Sequence, residues 1–229
     1  MTGRDESGAS PTGRLLTFAA WTVLVLGLWL WGREITGMPP LPEPARAGGP
    51  ALPVPGLPAA HAPLAAALPV RVEVPSLGIR APVVPRGLDA RGAIDPPPYG
   101  SPGTVGWWQG GTTPGEAGAA LLVGHVDTAS RPAVFYGLSS ALPGGRVRVV
   151  RADGSVAEFT IEDVQVYERS SFDPDKAYGR RIAGRPELRL VTCGGTYDKA
   201  AKEYTANVVV SAYLTGTGTS TGAGTPEKV

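Results

Sequence analysis

The chain has 229 residues and a net charge of +1, and glycine (32) and proline (24) together make up close to a quarter of it. That share exceeds what one continuous compact domain carries, so part of the chain is expected to be linker or tail. The near-zero charge leaves no basic footprint for nucleic acid. One cysteine and two histidines exclude an internal disulfide framework, the usual Cys/His zinc sites and thiolate-held clusters, so neither metal nor cofactor is expected.

In chain order, residues 1–14 are short and polar, with Arg4 and Arg14. Residues 15–31, LLTFAAWTVLVLGLWLW, carry no charge and sit at the lower edge of the length that spans a bilayer. Trp21, Trp29 and Trp31 suit interfacial anchoring, and Arg33 closes the run. No small-x-small cleavage site follows directly, so the expectation is an uncleaved signal anchor, with 1–14 cytoplasmic and the remainder outside the cell. Residues 32–69 form a Pro/Ala-rich segment, with ten prolines between positions 38 and 69. This reads as an extended spacer without a core, and His61 within it as solvated and inert.

Residues 70–214 read as the folded domain. Alternating or β-branched runs predict strands over 70–74, 79–84, 104–108, 119–125, 146–151, 156–168, 187–193 and 204–213. Asp153-Gly154 between RVRVVR and VAEFTIE is a hairpin signal. Val134, Leu138 and Leu142 at helical spacing before Pro143-Gly144-Gly145 predict a short helix, with further helical turns near Gly100 or Asp173. About eight short strands with one or two short helices imply an all-β, closed or nearly closed barrel. Residues 215–229, TGTGTSTGAGTPEKV, read as a disordered tail.

The folded domain holds one cysteine, Cys193, and one histidine, His125, each at the C-terminal end of a predicted strand: ALLVGH and ELRLVTC. A thiol needs a nearby base or cation to become a nucleophile at neutral pH, and imidazole is the usual partner. The plain alternatives are a small buried apolar thiol and a satisfied loop histidine. An unpaired thiol in an exported domain risks oxidation, which favours use. Strand alternation puts Arg189, Val191 and Cys193 on one face, with Leu188, Leu190 and Thr192 on the other.

The segments LLVGHVD, FYGL with PGGRV, and LRLVTCGGTYD followed by YTANVVV resemble the sortase transpeptidases over residues 70–214. The Thr-Cys-Gly-Gly ending and the Tyr-x-x-Asn-Val-Val-Val run are most similar to class F sortases of actinobacteria. The resemblance implies an eight-stranded sortase-type β-barrel. It also implies cleavage of an LPxTG-like sorting signal on surface proteins and transfer to an amine of a peptidoglycan precursor. Cys193 is then the nucleophile forming a thioacyl intermediate, and His125 the acid/base, with no cofactor required.

One departure stands out. Sortases place an arginine after the cysteine, near the start of the last strand, yet no arginine follows Cys193 here. Asn207 and Arg189 are candidates for that role. Lys199, Lys202, Tyr204 and Thr205 lie nearby, and Arg180, Arg181 and Arg185 precede the cysteine strand. The third role stays open. Asp163, Glu168, Asp173 and Asp175 fit no calcium-loop template and read as surface acids. The competing function is a non-enzymatic or degenerate surface binding domain. An L,D-transpeptidase is disfavoured because its Ser-x-Gly-Cys motif is absent.

Overall fold

The computed structural model describes residues 56–90 and 92–220; the expected segments 1–14 and 15–31, most of the 32–69 linker and the 221–229 end of the tail lie outside the described residues. Eight strands form: β1 (Pro69–Val74), β2 (Ile79–Arg86), β3 (Val105–Trp108), β4 (Gly118–Val123), β5 (Arg146–Arg151), β6 (Ser155–Glu168), β7 (Pro186–Asp198) and β8 (Glu203–Thr219). They close into a barrel in the order β1-β2-β3-β4-β7-β8-β6-β5, with β5 returning to β1. Neighbours are antiparallel except β2 with β3 and β4 with β7. The all-β barrel expected from strand periodicity is the architecture observed.

The period-2 pattern explains the closure. Val72, Val74, Val147, Val149, Leu188 and Leu190 all point into one core and are fully buried. A strand turned over by one residue would put these groups in water. The Asp153-Gly154 hairpin joins β5 to β6: Gly154 adopts φ 81°, and the Asp153 carboxylate accepts from the Ser155 N–H at 3.0 Å.

Four expectations differ from the structure. The segment 133–142 is not an α-helix but a run of turns ending in a 3-10 turn at Leu138–Ser140. Leu142 at the end of the supposed apolar stripe is exposed, while Phe135 and Leu138 fill the core. Phe135 lies so close to Gly124 that a Cβ there would sit 2.7 Å from its ring. The last part of the linker is not a free spacer, because residues 58–67 are strapped to the barrel. Tyr213 Oη donates to the Pro58 carbonyl at 2.6 Å, His61 N–H to Leu214 O at 2.8 Å and Leu64 N–H to Gly115 O at 2.8 Å. Residues 215–219, expected in the tail, extend β8, where Thr217 pairs with Ala157 and Thr219 with Ser155. Finally, β7 does not stop at Cys193; it runs to Asp198, bulging between Gly194 and Tyr197 against β8.

The outer face of β4, β7 and β8 is covered as well. A second cluster joins Val123, Val191, Val209 and Ala177, with Ile94, Tyr167, Phe172 and Tyr178 packed on it. Ala177 comes from the short helix α1 (Pro174–Tyr178), whose N-cap Asp173 accepts from Asp175 N–H (3.1 Å) and Lys176 N–H (3.3 Å). This is the helical turn expected near Asp173.

The connection between β6 and β7 is tied down by charge. Glu187 is fully buried at the start of β7. Its carboxylate accepts from the backbone N–H of Arg181 and Ile182 (3.0 Å each), from Arg185 Nε (3.0 Å) and from Arg189 Nη2 (2.5 Å). Arg189 also donates to Gly179 O at 2.7 Å, and Arg185 pairs with Glu162. Burial pushes the Glu187 carboxyl up, but the Arg181 N–H and the guanidinium groups of Arg189 and Arg185 outweigh it and hold it below the ordinary 4.5.

Removing one partner of such a buried pair strands the other, so Glu187→Ala should cost about 3–5 kcal/mol of stability. Because the folded carboxyl titrates below its unfolded value, its stabilisation is present above about pH 4.5 and is lost as pH falls further. Thermal melts from pH 7 to pH 3 should show that loss in the native chain and a flatter profile in Glu187→Gln.

Candidate active site

β4 and β7 run parallel with Val123 opposite Val191, and Gly124 N–H continues the ladder to Val191 O at 3.1 Å. Both valines lie in the outer cluster. Two residues further on each chain come His125, just past the end of β4, and Cys193, which strand alternation keeps on that face of β7. On the other side of β7, Cys193 is paired with Asn207 of β8, which is paired with Tyr167 of β6. The barrel thus sets Cys193, Asn207 and Tyr167 in a row across β7, β8 and β6, with His125 just past the end of β4. Directly opposed residues of an antiparallel pair, as Cys193 and Asn207 are, bring their Cβ atoms to about 4.5–5.5 Å.

Cys193 is half-buried and opens into a cleft of about 1080 Å³. Tyr99, Asp127, Arg169, Glu203 and Tyr204 line the same cleft. Its bed is shaped by the bulge in β7. Gly195 adopts φ 75°, and a Cβ there would lie 2.4 Å from Thr205 Oγ1; the Thr205 hydroxyl in turn accepts from Thr196 N–H at 3.0 Å. Glycine after the thiol is therefore a steric requirement of the bulge.

His125 is 8% exposed. Its Nε2 donates to the Pro97 carbonyl at 2.7 Å, and Tyr99 stacks on the ring with centroids 4.2 Å apart and planes 17° apart. With Nε2 carrying that proton, the basic nitrogen of the neutral ring is Nδ1. The segment before β3 holds the tautomer and covers one ring face.

The electrostatics around Cys193 are mixed. Burial is the largest influence and pushes the thiol above its ordinary 9.0; the Arg169 charge pulls it down, and Asp127 and Glu203 push it up. Asp127 accepts a hydrogen bond from Tyr204 Oη, which drives the Tyr204 phenol up to about 12. Arg169 pairs with Glu203 at 3.0 Å.

Of the candidates for the open third role, Asn207 lies directly beside Cys193. Arg189 shares the Cys193 face but is fully buried, with its guanidinium bonded to Glu187 and Gly179 O. Arg181 and Arg185 are held by Asp163, Glu162 and Glu187. Among the cleft residues not singled out from the sequence are Tyr99, Asp127, Arg131, Arg169 and Glu203. Only Asp127 had a local signal, two residues after His125 in GHVD. Among the described residues no group of His, Cys, Asp and Glu is placed to hold a metal ion.

A family model described as Sortase domain matches residues 72–215. A comparison with curated proteins gives no match. Among solved structures the chain is similar to sortase C-1 of Actinomyces oris (formerly Actinomyces naeslundii), at 20% identity over 64% of this chain and 73% of that one, TM-score 0.49. It is similar also to sortase C1 of Streptococcus agalactiae in complex with MTSET, at 17% identity over 69% of each chain, TM-score 0.48. A third is sortase C-1 of Streptococcus pneumoniae, at 18% identity over 63% of this chain and 65% of that one, TM-score 0.48.

A thiol held above its ordinary range is mostly protonated at pH 7. The rate of Cys193 alkylation by iodoacetamide should therefore rise about tenfold per pH unit from pH 7 to pH 9. A plateau reached below pH 8 would contradict the burial described for this thiol.

Proposed function

The chain belongs to the sortase family, and from that premise we propose that it is a membrane-anchored cysteine transpeptidase acting on an LPxTG-like sorting signal. The observation that supports the reading is the register of β4 against β7, which ends with Val123 opposite Val191, two residues before His125 on one chain and Cys193 on the other. In the proposed reaction the Cys193 proton passes to the His125 imidazole and the sulfur attacks the Thr carbonyl carbon. The carbonyl electrons move to oxygen and return as the C–N bond breaks, and the imidazolium gives its proton to the leaving Gly amine. A thioester remains on Cys193. An incoming amine of a peptidoglycan precursor attacks it, losing its proton to His125 and restoring the thiol. The thioester keeps the energy of the cleaved amide, so the exchange needs neither nucleotide nor cofactor.

The Thr-Cys-Gly-Gly and Tyr-x-x-Asn-Val-Val-Val motifs support a class F assignment within the family. The uncharged run at 15–31 supports an N-terminal anchor that holds the barrel outside the cell. N-terminal sequencing of membrane-extracted protein should find residues 15–31 retained.

Cys193→Ala should abolish both cleavage and transfer of an LPxTG-type peptide, read by mass spectrometry. His125→Ala should lower turnover by about 10²–10⁴-fold, with circular dichroism and melting temperature close to native. A binding domain without enzymatic activity would instead retain the peptide uncut in the native chain.

A further inference from the structure

β6 ends at Glu168, one residue past Tyr167 in the Cys193–Asn207–Tyr167 row. Arg169 follows, two residues beyond Tyr167, at the start of the 3-10 turn Arg169–Ser171. It comes from two strands away, about 10 Å across the sheet at the usual strand spacing. An extended arginine side chain is long enough to cross much of that gap, and Arg169 lines the same cleft as Cys193.

Three cations line this cleft: Arg131, Arg169 and Lys202. Arg131 lies in the exposed loop after His125, and Lys202 in the β7–β8 turn with φ 56°. Arg169 alone is mounted on the end of a long barrel strand, and Glu203 of β8 holds its Nη2 at 3.0 Å. The side chains of that pair are 42% and 48% exposed. A pair so open contributes little to stability and can exchange partners. Arg181 and Arg185 before β7, and Arg189 within it, are bonded to carboxylates.

We propose that Arg169, delivered from the end of β6, is the cation of the Cys193 site, and that its guanidinium donates to the oxyanion formed when the sulfur attacks the carbonyl. The oxyanion part rests on the transpeptidase reading above; the pairing with the thiolate does not. No arginine of β8 is then required, because the sheet brings one to the cleft from the next strand over. Glu203 holds the guanidinium in place until charge develops on the substrate. The groups facing the thiol are Arg169, Asp127 and Glu203, with the phenols of Tyr178 and Tyr204. Arg169 is the positive one, and it acts on the thiol in the direction opposite to both carboxylates.

The test uses the full chain in detergent, with Arg169→Met, Arg169→Lys and Glu203→Gln, and two readouts. The first is the pH profile of Cys193 alkylation by iodoacetamide. Arg169→Met should move its midpoint to higher pH, Arg169→Lys should move it less, and Glu203→Gln should move it lower. The second is turnover of an LPxTG-type peptide. Arg169→Met should lower kcat by about 10²–10³-fold, the usual effect of losing one oxyanion donor, with KM changing less. Arg169→Lys should recover part of that loss. An alkylation profile unchanged in Arg169→Met overturns the proposal, as does turnover within threefold of native. A native chain that cleaves no such peptide would end the transpeptidase reading, and the alkylation profile would still decide whether Arg169 faces the thiolate.

Discussion

One buried carboxylate organises the region on which the cleft is built. Glu187 gathers two backbone N–H groups and two guanidinium groups at the start of β7. These contacts fasten the chain that enters β7, residues 179–185, to the strand it feeds. With that chain fixed, α1 and the aromatic rings of Phe172 and Tyr178 lie over Val191 and Val209. β7 is thereby buried on both faces, which is why its outward residues can be Arg189 and Val191 rather than a plain polar row. Cys193 is the next outward position, at the margin of that cover. The thiol is half-shielded because the covering layer ends there.

That margin sets the chemistry. A thiol at the rim of an apolar layer, with two carboxylates near it, resists ionisation. A base in register with it is the arrangement that makes such a thiol useful, since proton transfer and attack then occur in one place. His125 is the candidate for that base, two residues past the end of the neighbouring parallel strand β4. Its present partners, Pro97 O and the Tyr99 ring, fix the tautomer but also occupy Nε2 and one face. Tyr99 is 69% exposed and lines the cleft, so the segment before β3 contributes to the shape of its opening.

The barrel was legible from sequence because its signal is local: β1, β5 and β7 each alternate cleanly, and Asp153-Gly154 marks its own turn. The helix expected over 133–142 failed because three apolar residues at helical spacing carry no information on what they pack against. Phe135, outside that spacing, took the core position that Leu142 did not. The end of β8 was missed because Gly and Thr alternate there without apolar residues. Those residues pair with β6 through backbone hydrogen bonds, which composition does not reveal. Cys193 and His125 were identifiable as the domain's single thiol and single imidazole. Arg169 was not, because its place depends on the β6–β8 register across residues far apart in sequence.

The strap of residues 58–67 has a mechanical meaning. Its bonds reach Tyr213, Leu214 and Gly115, and Arg151 grips the Ala65 carbonyl. All lie at the end of the barrel where Glu187 pairs with Tyr213, six residues and about 20 Å of strand away from Cys193. Tension drawn through the N-terminal side of the domain must peel these bonds in turn before it reaches β1. Load is absorbed at the end remote from the cleft, and the Cys193–Asn207–Tyr167 row across β7, β8 and β6 keeps its spacing under a pull applied ahead of residue 58.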